Sequence, residues 1–75
     1  MKKTDSPYVV QSLYNFATKL RHIRYDAKLT QIQLSQISNL SVTYIRRLEG
    51  QEQIPSIKTL FILAEALKTN PQNFF

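Results

Sequence analysis

Residues 30–50, TQIQLSQISNLSVTYIRRLEG, contain the pattern that decides the fold. Thr30 and Ser41 are hydroxyl residues of the kind that cap helix N-termini, and each precedes eight residues without proline or glycine. Asn39 lies between the two segments, and asparagine tolerates the left-handed backbone conformation that ends many helices. The sequence therefore predicts a helix over residues 31–38, a three-residue turn, and a helix over residues 42–49 that ends at Gly50.

On the N-terminal side of this segment the sequence predicts one long helix. Ser6 is a suitable cap and Pro7 suits the first helical position, where its missing N–H costs nothing. The helix is expected to run to about residue 27, while the polar residues 1–5 are expected to be frayed. Apolar side chains recur at steps of four and three, which marks one buried helix face: Val9, Leu13, Phe16, Leu20, Ile23 and Ala27.

On the C-terminal side a loop over residues 50–55 precedes two further helical segments. Ser56 caps a predicted fourth helix over residues 57–68, and Asn70-Pro71 opens a last helical turn that closes on Phe74 and Phe75. Strand-like alternation is absent from the sequence, so it predicts a single all-α domain over residues 1–75, a compact bundle of five helices. The expected buried face of the fourth helix consists of Ile57, Leu60, Phe61, Ala64 and Leu67.

Composition narrows the function classes. The 75 residues suffice for one modest core, and the absence of cysteine excludes disulfides and thiolate metal sites. Ten Lys and Arg residues against five acidic ones give a net charge of +5, an excess that suits a nucleic-acid partner. The apolar runs are too short to span a bilayer, and Lys2 and Lys3 are not followed by the apolar stretch of a secretory signal. We expect a soluble cytoplasmic protein.

The chemical inventory argues against an enzyme. Nucleophilic catalysis needs a base beside a Ser, Thr or Cys, and the sole histidine, His22, lies on the polar side of the first helix. One glycine cannot make a glycine-rich phosphate loop. We therefore expect no catalytic residues, cofactor, metal or small-molecule ligand. The carboxylates show no paired or metal-ligand spacing: Asp5, Asp26, Glu49, Glu52 and Glu65.

These motifs together resemble the Cro/repressor-type (XRE-like) helix-turn-helix family over about residues 16–75. The segments that carry the resemblance are Thr30-Gln31-x-x-Leu34, Asn39-Leu40-Ser41-x-x-x-Ile45-x-x-Leu48-Glu49 and Pro55-Ser56-Ile57-x-x-Leu60-x-x-Leu63-Ala64-x-Ala66-Leu67. The resemblance implies a lambda-repressor-like fold and a transcriptional regulator that binds double-stranded DNA, in bacterial or phage cytoplasm at the nucleoid. The run Thr43-Tyr44-Ile45 and the small size also resemble the controller proteins of restriction–modification systems.

Two positions depart from the family pattern. The family usually has glycine in the turn, where this chain has Asn39. It also tends to place glycine two residues after the glutamate, where this chain has Gln51, with Gly50 one residue earlier. Asparagine can adopt the turn conformation, but the resemblance leaves the path of the loop over residues 50–55 open.

The third helix is the expected recognition helix in the major groove of a palindromic operator. At about 100° per residue, its exposed face lies opposite Ile45 and Leu48. Arginine can donate two hydrogen bonds to guanine, and methyl groups suit thymine. Arg47 is the first candidate for base reading, while Arg46 could read a base or hold a phosphate. The predicted base-reading residues are Val42, Thr43, Arg46 and Arg47.

A second group of residues is expected at phosphates or within the fold. Free backbone N–H groups at a helix start favour phosphate, and the resemblance gives Gln31 that position. Tyr44 could contact the DNA backbone or simply pack. The resemblance also pairs Arg24 with Glu49 as a structural ion pair. The predicted phosphate contacts are Gln31, Ser41, Tyr44, Gln53 and Lys58.

The working unit is expected to be a homodimer, because one recognition helix reads only a few base pairs and the fourth helix has more apolar residues than one face can bury. Phe61, Ile62 and Phe75 are the predicted interface. Two other functions stay open. The chain could be the DNA-binding antitoxin of a toxin–antitoxin pair, for which Ile32 and Ile37 offer an unusual apolar surface, or a protein-interaction module that has lost DNA binding.

Overall fold

The computed structural model describes residues 6–75, so the expected fraying of residues 1–5 lies outside the described residues. The α-helices are α1 (Pro7–Asp26), α2 (Gln31–Ser38), α3 (Val42–Glu49) and α4 (Ile57–Ala66), and a 3-10 helix covers Pro71–Phe74. No strand occurs within residues 6–75, and no helix there is long and apolar enough to cross a membrane. The predicted all-α class is confirmed.

Each α-helix begins where the sequence places a hydroxyl cap. In all four, the cap side chain accepts a hydrogen bond from the backbone N–H three residues later, which satisfies one of the amides left free at a helix start. In α2 the Gln33 side chain also accepts from the Thr30 N–H at 2.8 Å, completing a capping box. The caps are Ser6, Thr30, Ser41 and Ser56.

The predicted bundle of five helices is wrong in one respect, because the fifth element is a 3-10 helix. Its backbone hydrogen bonds join residues three apart, as in the bond from the Asn73 N–H to the Asn70 carbonyl at 2.9 Å. The fourth helix also ends at Ala66 rather than at residue 68. Lys68 takes a left-handed conformation with φ of 53°, which stops the helix.

The core lies where α1, α2, α3, α4 and the 3-10 helix meet. Phe16 and Phe74 pack with ring centroids 5.8 Å apart. Each of the four α-helices and the 3-10 helix contributes at least one fully buried side chain to this core. The burial of these apolar side chains is the main source of stability. The core cluster is Phe16, Leu20, Leu34, Ile45, Leu48, Leu63, Ala64, Leu67 and Phe74.

The buried face of α4 was predicted wrongly in two positions. Ile57 is 72% exposed and Phe61 is 59% exposed. Leu63 and Thr59 are buried instead, and the buried Thr59 hydroxyl is hydrogen-bonded to Tyr44 of α3 and to the Ser56 side chain. On α1 burial begins only at Leu13, so Val9 and Ala27 at the two ends of the predicted face are exposed.

The helices α1, α3 and α4 end in the same motif, in which the left-handed residue is not a glycine. The N–H groups of the two residues after each C-cap donate back to carbonyls of the last turn, at 2.8–3.3 Å. The left-handed residues are Lys28, Gln51 and Lys68, with φ between 53° and 64°. Asn39 ends α2 in the same conformation, as predicted, whereas Gly50 has φ of −90°. The left-handed conformation costs a residue with a side chain about 1–2 kcal/mol.

Gln51→Gly is therefore expected to raise the free energy of unfolding by about 1 kcal/mol, because glycine adopts φ of 64° without steric strain. In a domain of this size that corresponds to a melting temperature about 4–8 °C higher. Thermal unfolding of Gln51→Ala is the control, since alanine keeps the strained backbone and should give no gain. A lower melting temperature for Gln51→Gly would mean that the glutamine side chain itself stabilises the loop.

Candidate nucleic-acid interface

A buried ion pair fixes α3 against α1. Arg24 donates from Nε to Glu49 Oε2 at 2.7 Å and from Nη2 to Oε1 at 2.8 Å. The two side chains are only 7% and 5% exposed. The hydrogen bonds to Glu49 raise the pKa of Arg24 above its ordinary value, although burial acts in the opposite direction. The guanidinium–carboxylate pair thus has the planar, two-bond geometry that gives such pairs their strength.

The same carboxylate organises the start of α2. Gln31 Nε2 donates to Glu49 Oε1 at 3.1 Å, and Arg46 Nε donates to Gln31 Oε1 at 3.4 Å. Arg24 Nη1 also donates to the Leu29 carbonyl at 2.9 Å, just before α2. Buried polar groups at this junction therefore tie the beginning of α2 and the end of α3 to α1, which holds the two short helices at a fixed angle.

The exposed face of α3 carries the predicted base-reading residues. Ile45 and Leu48 are completely buried, whereas the Thr43, Arg46 and Arg47 side chains are exposed and Val42 is half-buried. The Arg46 guanidinium turns toward α2 through its bond to Gln31. No hydrogen bond or salt bridge within residues 6–75 engages the Arg47 side chain. On this face, therefore, Arg46 is held by a hydrogen bond to Gln31, whereas the Arg47 side chain has no hydrogen-bond partner among residues 6–75.

The predicted phosphate-contacting residues lie in different surroundings. Ser41 is exposed, and its Oγ accepts from the Tyr44 N–H at 3.0 Å. Tyr44 is half-buried, and its hydroxyl is hydrogen-bonded to Thr59 Oγ1 at 3.0 Å, so its side chain is packed between α3 and α4. Gln53 is half-buried in the loop before α4. Lys58 is exposed on α4, in a groove to which no α3 residue contributes.

A positively charged cleft lies between the end of α1, the start of α2 and the α3 side chain of Arg46. It is lined by four cationic residues and one carboxylate, that of Glu49, whose two oxygens already accept from Arg24. Among the described residues, the charge of the cleft therefore suits an anion. The cationic residues are Arg21, Arg24, Lys28 and Arg46.

Comparison with known proteins shows to which family the chain belongs. A family model described as Helix-turn-helix (HTH_3) matches residues 20–74. The chain belongs to the helix-turn-helix family. The turn of this motif is formed by residues 39–41, between α2 and α3. Since the match begins at residue 20, most of the first helix lies outside the segment by which the family is recognised.

Relatives of this helix-turn-helix chain include two curated regulators. It is 43% identical over 54 residues to the control protein C.SmaI of Serratia marcescens, covering 72% of this chain and 64% of that protein. It is 41% identical over 49 residues to the immunity repressor protein of Bacillus phage phi105, covering 65% of this chain and 34% of that protein. The chain thus spans about a third of the phage repressor and just under two thirds of the control protein.

A solved structure resembles the helix-turn-helix fold over nearly its whole length. The restriction-modification controller protein C.AhdI from Aeromonas hydrophila superposes with a TM-score of 0.83 at 29% sequence identity. The similarity covers 87% of this chain and 98% of that one. The likeness therefore extends to the arrangement of the helices around the motif.

Two of the three predicted dimer residues, Phe61 and Ile62, line a second surface. Phe61 lies with half-buried Ile62 along an apolar groove between α2 and α4. Phe75 is 65% exposed, whereas its neighbour Phe74 is completely buried. Ile37 of α2 completes the apolar lining and is also exposed. Ile37, Phe61 and Ile62 thus give this helix-turn-helix domain an apolar surface outside its core, and Phe75 is not among the residues that line it.

Three functional partners were missed by sequence reasoning. Arg21 donates to the backbone carbonyl of Glu49 at 3.1 Å, and Tyr25 places its ring 4.6 Å from the Arg24 guanidinium carbon. Thr59 holds the Tyr44 hydroxyl. The spacing of Arg21 and Arg24, one helical turn apart on α1, was the available signal for a shared partner. Nothing in the sequence indicates the contact between Thr59 and Tyr44, which lie on different helices and 15 positions apart in the chain.

Proposed function

We propose that this protein is a transcriptional regulator that binds double-stranded DNA sequence-specifically and inserts α3 into the major groove of its operator. The observation that carries the proposal is the exposed arginine-bearing face of α3, held by buried polar contacts against α1 in a helix-turn-helix domain. The net charge of +5 supports an anionic partner. The named relatives, a phage immunity repressor and a control protein, support the same function.

The two arginines of α3 receive different roles in this proposal. Arg47 is untethered among the described residues and can reach a guanine edge with two hydrogen bonds, while the Thr43 and Val42 methyl groups suit thymine. Arg46 is directed toward Gln31 and the cationic cleft, which supports a phosphate contact there rather than base reading. Ser41 and Gln53 would contact phosphates at the edges of the recognition helix.

Selection of bound duplexes from a random pool tests this function. We expect recovery of a short palindromic sequence, and binding to it that weakens steeply as salt concentration rises, because phosphate contacts release counterions. Titrations of the selected and a scrambled duplex with the full chain give the specificity ratio. Equal affinity for both duplexes would contradict a sequence-specific regulator, and no DNA bound at low salt would favour a protein-interaction module.

We further propose that the protein acts in the cytoplasm as a homodimer. One recognition helix contacts only a few base pairs, and two copies placed about 34 Å apart read two half-sites on one face of DNA. The exposed apolar residues of α4 support self-association, since apolar side chains clustered on the surface of a small domain commonly mark an interface. Phe61, Ile62 and Phe75 are the proposed interface residues.

Ile62→Asp is expected to give a folded monomer that binds the palindrome poorly, because a carboxylate cannot be buried without a partner in an apolar interface. Sedimentation at micromolar concentration reports the association, and circular dichroism reports the fold. Ile32→Asp is the matched control, since Ile32 is exposed on α2 away from the groove. A wild-type chain that stays monomeric and binds its operator without cooperativity would rule out the homodimer.

A further inference from the structure

The groove between α2 and α4 is lined by an unusual set of α4 residues. They recur in adjacent pairs one turn apart, along one continuous face of the helix. A lysine lies near one end of this face and a glutamate near the other, with an exposed phenylalanine and a half-buried isoleucine between them. The lining residues of α4 are Ile57, Lys58, Phe61, Ile62, Glu65 and Ala66.

This face is self-complementary about its own midpoint. The point midway between Phe61 and Ile62 relates position 57 to 66, 58 to 65 and 61 to 62. A two-fold axis through that point brings two copies of α4 together antiparallel, with each residue opposite its counterpart in the other copy. A large side chain then meets a small one, a cation meets an anion, and the two central apolar residues meet each other.

We infer that the occupant of this groove is α4 of a second copy of the chain, in a two-fold arrangement in which Lys58 pairs with Glu65 of the partner subunit. The inference rests on the homodimer proposed above and specifies its register. The two ends of the face carry opposite charges, so the antiparallel register pairs charges at both ends, whereas a parallel register opposes like charges. Phe61 and Ile62 form the apolar centre.

This arrangement gives Lys58 a different role from the phosphate contact that the sequence suggested. Lys58 lies in the groove with Ile37, Ile57 and Phe61, and no residue of α3 lines that groove. An exposed cation beside apolar side chains on a dimer rim fixes register and partner choice. Lys58 is therefore a specificity-determining residue for self-association.

Charge exchange between the two positions tests the register. In K58E the introduced carboxylate opposes Glu65 of the partner subunit at both ends of the interface, and in E65K two lysines oppose each other in the same way. Each variant alone is expected to self-associate at least about tenfold more weakly than wild type, because like charges are brought together twice. An equimolar mixture of the two variants, and the double variant K58E/E65K, should both recover association.

The measurement is sedimentation of the full chain at low salt, with circular dichroism to verify folding. K68E and E52K are matched controls, because Lys68 and Glu52 are exposed and do not line the groove, and they should associate as wild type does. Failure of the mixture to associate better than its components overturns the register, as does a wild-type monomer. Recovery in the mixture supports it even if no DNA is bound, whereas specific DNA binding by a wild-type monomer leaves the proposed DNA function standing.

Discussion

Arg24→Met is expected to lower the free energy of unfolding by about 3–5 kcal/mol, because it leaves the Glu49 carboxylate buried without its main partner. Domains of this kind have a total stability of about 5–15 kcal/mol, so the change removes a large part of it. The Leu29 carbonyl loses a donor as well. Thermal and urea unfolding without DNA measure the effect, and a melting temperature equal to that of wild type would mean that the pair does not stabilise the fold.

Two variants separate the pair from its neighbours. Arg24→Met combined with Glu49→Leu should recover part of the lost stability, because apolar side chains of similar volume need no charged partner. Arg21→Met should cost much less than Arg24→Met, since Arg21 is exposed and donates only to the backbone carbonyl of Glu49. If Arg21→Met proved as destabilising as Arg24→Met, the cost would belong to the cationic cluster as a whole.

Arg47→Ala is expected to weaken binding to the selected operator by about 1–3 kcal/mol, equivalent to roughly 5–150-fold in affinity, and to relax preference at one base pair. The reason is the loss of two hydrogen bonds to a guanine edge. Because Arg47 is exposed, the melting temperature of the free protein should stay close to that of wild type. Titrations of the variant against operators substituted at each position locate the base pair concerned.

Arg46→Ala is the control for this measurement. Arg46 is tethered to Gln31 beside the cationic cleft, so its loss should weaken binding to selected and scrambled duplexes by similar factors. The slope of log binding affinity against log salt concentration should become shallower by about one unit for a lost phosphate contact. An equal loss by Arg47→Ala on both duplexes would place Arg47 at a phosphate too, and would leave base reading to Val42 and Thr43.

Stability and the proposed DNA surface depend on one buried carboxylate in this domain. The Glu49 carboxylate accepts hydrogen bonds from Arg24 and from Gln31. The amide oxygen of Gln31 in turn accepts a hydrogen bond from Arg46. The contact that anchors α3 to α1 therefore also orients a side chain of the proposed DNA surface. Variants of Glu49 should consequently be compared at a temperature where each is fully folded, so that lost orientation is not confused with unfolding.

The sequence by itself determined where the helices begin and where the turn lies. Thr30 and Ser41 each bond to a backbone amide three residues away, and Asn39 needs only its own left-handed conformation, so these features depend on neighbours in the chain. The helix ends were less accurate, since the fourth helix was predicted to reach residue 68 but ends at Ala66. The resemblance left the path of the loop after Gly50 open, and its left-handed residue is Gln51, where the three-dimensional path of the loop outweighs the local cost.

Only the tertiary structure decided which face of α4 is buried and which polar side chains meet. Hydrophobicity favoured burial of Phe61, yet Phe61 is exposed and Thr59 is buried, with its hydroxyl hydrogen-bonded to Tyr44 of α3. Gln31 at a helix start predicted a phosphate contact, and the fold adds Glu49 and Arg46 as its partners. These contacts join residues 15–18 positions apart, and their formation depends on how the helices pack, which no local pattern encodes.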